Sequence, residues 1–328
     1  EIEIKQMRGM IYTHDDKFIH STSYTDEYTE KDDLSLLNID YINCKFTMAE
    51  EGTVIRLFFN ESKKEWMIST QRKLNAFEST WGDIDKVSFG EYFCKALDYH
   101  SMTCLDLVNQ LDINRVYIYF LRTCKNTKIV CTEPIDNEPR VFYIGSSLLG
   151  CPEDIFQYAT DENKIGNIPI QTELTFTNDT DLITYVSNVD HFKHQGILIY
   201  NKITGLYTKI VSSIYSSYVA IRGNESSIFY RFLQIRDNKQ DVDRMKELYP
   251  ESIDELKRWN DCINMLIKNI HLAYLQRYIN KEFKTLSPGV HFILKEAHKK
   301  YLQNKLKITQ TIIKNILQNN INILYTLV

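Results

Sequence analysis

Few places in this sequence bring chemistry-bearing side chains together, and each lies at the end of an apolar run or within one. Glu50, Glu51 and Gly52 follow Ala49. Arg72 and Lys73 follow Trp66-Met67-Ile68-Ser69-Thr70. Lys209 sits inside Leu206-Tyr207-Thr208-Lys209-Ile210-Val211. Carboxylates hold divalent cations through oxygen, and neighbouring cations meet phosphate. Taken singly, each group also has a plainer meaning. Glu51-Gly52 makes a turn or strand bend, as does Arg8-Gly9. Arg72 and Lys73 serve equally as solvated charges, and Lys209 faces either a cleft or water. His191 and His194 have His-x-x-His spacing but nothing nearby completes a zinc set, so a surface loop is expected there. The seven cysteines are Cys44, Cys94, Cys104, Cys124, Cys131, Cys151 and Cys262. None form Cys-x-x-Cys, which points to reduced, buried thiols of a cytosolic-type compartment, with Cys124 and Cys131 in the core.

The elements that must position these residues follow from length and pattern. A chain of 328 residues with 43% hydrophobic and 25% charged content is long enough for one large domain or two ordinary ones. A net charge of −4 excludes a generally basic protein, so any nucleic-acid site must be a local patch. No apolar run reaches membrane-spanning length. The triplets at Asn60, Asn178 and Asn224 match glycosylation sites by chance in a chain without a signal-peptide pattern. The chain opens at Glu1 rather than Met, which suggests a missing N-terminal piece.

Alternation of apolar and polar residues predicts strands in the first two-thirds. Val54–Phe59 and Trp66–Thr70 make a hairpin across Asn60–Lys64. Val116–Leu121, Ile129–Cys131 and Val141–Ile144 continue the series. Ile197–Tyr200 and Leu206–Val211 form another hairpin. Asp83 to Asn109 has helical spacing in Phe89, Phe93, Ala96 and Leu97. Composition changes after about residue 237. Ile253 to Phe283 carries a helical stripe, Ser287-Pro288-Gly289 breaks it, and a second helical stretch runs from His291 to about Asn319. The expected class is α+β: a body of antiparallel sheets with helices over residues 1–237, then an all-helical part over 238–328.

The order of short segments carries a resemblance. Arg8-Gly9-Met10-Ile11-Tyr12 is followed by Ala49-Glu50-Glu51-Gly52-Thr53 and Ser69-Thr70-Gln71-Arg72-Lys73. Then come Tyr117-Ile118-Tyr119-Phe120-Leu121, Gln195-Gly196-Ile197-Leu198-Ile199 and Tyr207-Thr208-Lys209-Ile210-Val211. Over residues 8 to 235 this order resembles the serial motifs of covalent nucleotidyltransferases, phage-type RNA ligases above all. Val219–Asn224 and Tyr230–Arg236 look similar to ligase-like proteins of large DNA viruses. The resemblance implies a ligase-type nucleotidyltransferase body.

Such enzymes need a lysine amine that attacks the α-phosphate of ATP or GTP, with carboxylates holding Mg and lysines neutralising charge. In the family pattern Lys-x-Asp-Gly the nucleophile precedes the glycine by three residues, which here is Ala49. Lys45 shares its strand face by alternation but lies about 13 Å away at strand rise. Lys73 stands on a neighbouring segment. A Glu of the family is replaced by Leu121, the acid of Glu-Gly by Gln195, and the second lysine of Lys-x-Lys by Val211, while Lys209 and the acidic Glu51 remain. No catalytic residue and no metal site is therefore assigned. Glu51, Gly52, Arg56, Arg72, Lys73, Gly196 and Lys209 are the candidates for nucleotide or phosphate contact. ATP or GTP with Mg is the cofactor set that the resemblance implies, and none is assigned from the residues.

Three functions fit this reading. One is a non-catalytic ligase-like module for nucleic-acid binding or assembly, cytoplasmic, or in the host cytoplasm or the virion if viral. The second is an active RNA ligase or guanylyltransferase using another lysine. The third is a nucleotide sensor. Ala49, Leu121 and Gln195 separate the first two, and nothing separates the first from the third. RNA or DNA backbone is an expected partner of Arg56, Arg72, Lys73 and Lys209 if they converge. No membrane is expected. The apolar terminal segment Ile312–Val328 must be buried. It is buried either on the body or on another chain: the helical unit is expected to pack in cis through Trp259 and Leu266, while part of the terminal segment meets a partner protein or a second copy.

Overall fold

The computed structural model describes residues 9–20, 25–81, 87–122, 129–131, 138–151, 154 and 156–328. The chain packs as two compact units, Glu1–Val219 and Ala220–Val328. The division precedes the compositional change after residue 237, because the helix Ile228–Ile235 falls within the second unit.

The first unit contains two five-stranded sheets. One has the order β10 (Glu173–Leu174), β4 (Cys44–Ala49), β11 (Gly196–Asn201), β12 (Tyr207–Val211), β3 (Thr25–Thr29). Its pairs are antiparallel except β12 with β3. The other has the order β6 (Glu65–Thr70), β5 (Thr53–Asn60), β7 (Arg115–Arg122), β8 (Arg140–Leu148), β9 (Gln157–Tyr158), antiparallel throughout. A small hairpin pairs β1 (Ile11–Tyr12) with β2 (Phe18–His20). Residues 50–52 carry the chain from β4 in one sheet to β5 in the other.

Period-two patterning decides the faces. In the second sheet Ile55, Leu57, Tyr117, Tyr119, Leu121, Val141 and Tyr143 point to a buried core shared with helix α1 (Phe89–Tyr99). There Phe93 meets Tyr119 edge to face, with ring centres 5.5 Å apart. Ser88 and Glu91 form a capping box that starts α1. The opposite face carries Val54, Ile118 and Phe120, which line a cleft. In the first sheet Phe46, Ile197, Ile199 and Ile210 belong to a separate core.

Several expected elements differ. Ile129–Cys131 forms no strand, for its backbone donors turn to a carboxylate described below. The helix expected over 83–109 is two helices, α1 and α2 (Cys104–Val108), separated by Ser101 at φ 56°. Residues 83–86 lie outside the described residues. Cys151 and Cys262 are exposed and Cys94 and Cys104 half-buried, while Cys44 and Cys131 are buried as expected. Cys124 and Arg8 lie outside the described residues.

The second unit packs helices around the stripe read from sequence. Helix α7 (Ile253–Tyr274) buries Leu256, Ile263, Ile267, Ile270 and Tyr274. It ends in a π-helical turn at Leu275–Ile279, short of Phe283. The second stretch is split by Lys305 at φ 54° into α8 (Pro288–Asn304) and α9 (Gln310–Gln318). Trp259 on α7 packs its ring 4.8 Å from Phe229 and 6.0 Å from Phe232 of α5 (Ile228–Ile235). The terminal segment is docked in cis. Ile313, Ile316, Leu317 and Leu324 are buried, Tyr325 lies against Phe229 and Tyr230, and Gln318 Nε2 donates to the Leu233 carbonyl at 3.1 Å. Among the described residues no helix is long and apolar enough to cross a membrane.

A chain ending at Gln310 loses those four buried side chains. Each costs about 2–5 kcal/mol when truncated in a core, and together they rival the roughly 5–15 kcal/mol stability of a domain. Circular dichroism should show lost helicity beyond the deleted residues, and size-exclusion chromatography an expanded or aggregated species. An unchanged, cooperative melt would contradict this packing.

Candidate functional site

The cleft lies between the two sheets of the first unit, and its volume is about 570 Å³. Strand register brings Ala49 opposite Gly196, which pairs on its other side with Val211. Gly196 is required at this close approach: a Cβ there would stand 2.1 Å from the Ile210 carbonyl oxygen, at φ 154°. A Cβ on Gly52 would meet the Leu121 oxygen at 2.2 Å, so the glycine lets the crossover pass beneath β7. Ala49 lines the cleft with 3% of its surface exposed. Its methyl offers no nucleophile.

Glu51 is buried, and its carboxylate is committed. It accepts the backbone N–H of Ile129, that of Val130 at 2.8 Å and that of Cys131 at 3.0 Å, and the Tyr215 hydroxyl at 3.1 Å. Burial, and then the Glu51 charge, push the Cys131 thiol and the Tyr215 phenol far above their ordinary ranges. Both stay protonated, so neither acts as a nucleophilic anion. Glu50 lies at ion-pair distance from Arg122 (3.1 Å) and His194 (3.1 Å), without hydrogen-bond alignment. Arg122 also donates to the Lys193 carbonyl at 2.7 Å.

Gln195 joins the seam from the first sheet. Its Nε2 donates to the Glu50 carbonyl at 3.2 Å and its Oε1 accepts from Lys209 Nζ at 2.7 Å. Lys209 Nζ also meets Glu27 at 2.6 Å. A glutamine serves here because it presents a donor to one side and an acceptor to the other. Lys45 falls on the same strand face as Ala49, as alternation requires. Its Nζ is 3.5 Å from Glu173 and 4.8 Å from the Tyr158 ring centre.

The other candidates do not converge on the cleft. Arg56 is 2% exposed, and its guanidinium donates to the carbonyls of Gly9 and, at 2.6 Å, Thr70. Arg72 and Lys73 are exposed on a turn built on the Thr70 side chain, and Gln71, not they, lines the cleft. Leu121 is fully buried on the core face, and its neighbour Phe120 lines the cleft. Val211 is buried, with no exposed surface. Of the lining carboxylates, Glu50 is paired and Asp154 accepts the Leu148 N–H at 2.6 Å. Mg demands several free oxygen ligands, and this donor set does not supply them. Among the described residues no group of His, Cys, Asp or Glu is arranged to hold a metal ion.

Sequence reasoning missed Tyr215, Glu27, Arg122 and the role of His194. Spacing gives no signal for any of them, since their partners lie in distant segments. His191, expected on a surface loop, stacks on Tyr218 with ring centres 5.1 Å apart.

No family model matches the chain. It is 29% identical to the immediate-early protein ICP-46 homolog of Invertebrate iridescent virus 6, over 95% of this chain and 74% of that protein. It is 27% identical to the homolog of Invertebrate iridescent virus 3, over 97% and 71%. Among solved structures it is similar to an archaeal ATP-dependent RNA ligase, with 11% identity and a TM-score of 0.41. That match covers 76% of this chain and 65% of the ligase, less than two-thirds of its length.

Two outcomes follow from the seam. Glu51→Ala strands three backbone donors and a hydroxyl, which should cost about 3–5 kcal/mol in urea unfolding, with Glu51→Gln intermediate. His20, at the cleft wall, is held down to about 3 by burial and then by the Arg56 charge. The unfolded chain takes up a proton near 6.5 and the native state only near 3. Stability should therefore rise with pH between about 3 and 6.5, by at most about 1.4 kcal/mol per unit from this group. His20→Phe should flatten that slope, and an unchanged slope would contradict the burial of a neutral imidazole.

Proposed function

We propose that this chain is a non-catalytic, ligase-like protein of a large DNA virus, acting as a binding or assembly module and not as a nucleotidyltransferase. The observation that carries the reading is the closed hydrogen-bond seam. Ala49 stands where the resemblance requires a nucleophilic lysine. Around it Glu51, Gln195 and Lys209 are each engaged by other groups of the chain. Nucleotidyl transfer needs an amine with a free lone pair and charges aimed at the phosphates. Here Lys209 Nζ donates to Gln195 and meets Glu27, and Lys45 is held at Glu173 and Tyr158. Viral origin is supported by the two iridescent-virus relatives. Nucleotide binding without transfer is a second reading, supported by the aromatic walls of the cleft, Phe120, Phe156, Tyr200 and Tyr207.

The test is incubation with α-labelled ATP and GTP in Mg, then a denaturing gel. No acid-labile, hydroxylamine-sensitive adduct should form on the natural chain. Ala49→Lys alone should also stay unlabelled, because Glu50, Glu51 and Lys209 are already engaged by other groups of the chain. Labelling of either protein overturns the reading. Equilibrium dialysis with unlabelled nucleotide separates the sensor from the module.

A further inference from the structure

Positive charge is unevenly spread along this chain. Residues 277–307 hold eight of the 39 lysines and arginines but only two of the 43 acidic residues. They form the corner between α7 and α8: the π-helical turn, a stretch without helix over 280–287, then α8 and its left-handed cap at Lys305. Lys284, Lys295, Lys299, Lys300 and Lys305 are exposed, and among the described residues none of them ion-pairs with a carboxylate. Lys63 and Lys64, also exposed, have acidic partners at Glu65 and Glu61, whereas Arg72, Lys73 and Lys202 are exposed without an ion pair among the described residues but stand apart from such a cluster of rings.

Aromatic rings run through this field. Tyr278 lies flat on His298, with centres 3.9 Å and planes 12° apart, and His298 continues to Tyr301 at 5.8 Å and 20°. Tyr274 closes the buried end, 5.0 Å from Tyr278. At the surface Tyr301 is 38% exposed and Phe283 72%. Each has a cation over its ring: Lys305 Nζ is 5.8 Å from the Tyr301 centre and the Arg277 guanidinium 5.3 Å from that of Phe283.

We infer that this corner of the helical unit binds single-stranded nucleic acid, with bases stacked on Phe283 and Tyr301 and the phosphates along Lys295, Lys299, Lys300 and Lys305. An unpaired strand offers flat base faces and a line of negative charge together, and a duplex hides the faces. Anionic membrane is the weaker fit. An interfacial helix needs an apolar face free to enter lipid, and the apolar face of α8, with Ile293, Leu294 and Ala297, is buried within the unit. The inference does not depend on the state of the cleft. Stacking and phosphate contact are sequence-tolerant, so RNA and DNA strands both qualify, and the experiment tells them apart.

The full chain is titrated against fluorescein-labelled 20-nucleotide oligo(U), oligo(dT) and a duplex of equal length, by anisotropy at several salt concentrations. One or both single strands should bind at least about tenfold more tightly than the duplex. The triple variant Lys299→Gln, Lys300→Gln, Lys305→Gln should weaken binding tenfold or more. It should also lower the slope of log affinity against log salt by about two. Phe283→Ala with Tyr301→Ala should weaken binding about tenfold at an unchanged slope. These positions are exposed, and circular dichroism verifies that each variant folds. Lys63→Gln with Lys64→Gln should bind as the natural chain does. Absence of single-strand binding at low salt, duplex binding of equal strength, or full affinity in the triple variant would overturn the inference. So would binding to phosphatidylserine vesicles that neither oligonucleotide displaces.

Discussion

The buried carboxylate of Glu51 is the contact on which the first unit depends. An ionised carboxylate away from water is tolerated only when its oxygens are fully hydrogen-bonded. Three consecutive amides, Ile129 to Cys131, and the Tyr215 hydroxyl fill that need. Groups from three distant parts of the sequence therefore meet at one point. That point lies on the short crossover from β4 to β5, which links the two sheets. Gly52 lets the crossover run beneath β7, and Glu50 ties the same segment to Arg122 and His194. The relation of the sheets, and so the cleft between them, follows from this anchor.

Hydrogen bonds and ion pairs like those at the anchor continue along the cleft. Carboxylates that bind a metal must keep lone pairs free, and cations that grip phosphate must not already be neutralised. In this seam several polar groups find counterparts within the protein: Gln195 bridges Glu50 and Lys209, Lys209 meets Glu27, and Asp154 caps the Leu148 amide. In the helical unit, exposed positive charge lies beside exposed rings.

Much of the architecture was legible in the sequence, because period and turn chemistry are local. The hairpins at β5–β6 and β11–β12 are set by alternation and short polar links. The α7 stripe is set by helical spacing, and Trp259 and the terminal segment pack in cis as the apolar content of both required. Less legible were the places where one residue interrupts a pattern, such as Ser101 and Lys305, whose positive φ splits a predicted helix in two. The site was harder to read. Which face Leu121 takes is a question of register, and a shift of one residue sends a side chain from cleft to core. Ile129–Cys131 looks like a strand by composition, but its amides go to a side chain 78 to 80 residues away. Arg56 looks like a free cation until its burial beneath the Gly9 hairpin is known.

The most direct measurement is hydrogen exchange at the Val130 and Cys131 amides, with and without ATP and Mg. If Glu51 is a structural anchor, both amides are protected in the free protein and their exchange is unchanged by nucleotide and metal. Fast exchange in the free protein, or faster exchange when Mg and ATP are added, would mean that the carboxylate is available to a metal, and would contradict the account.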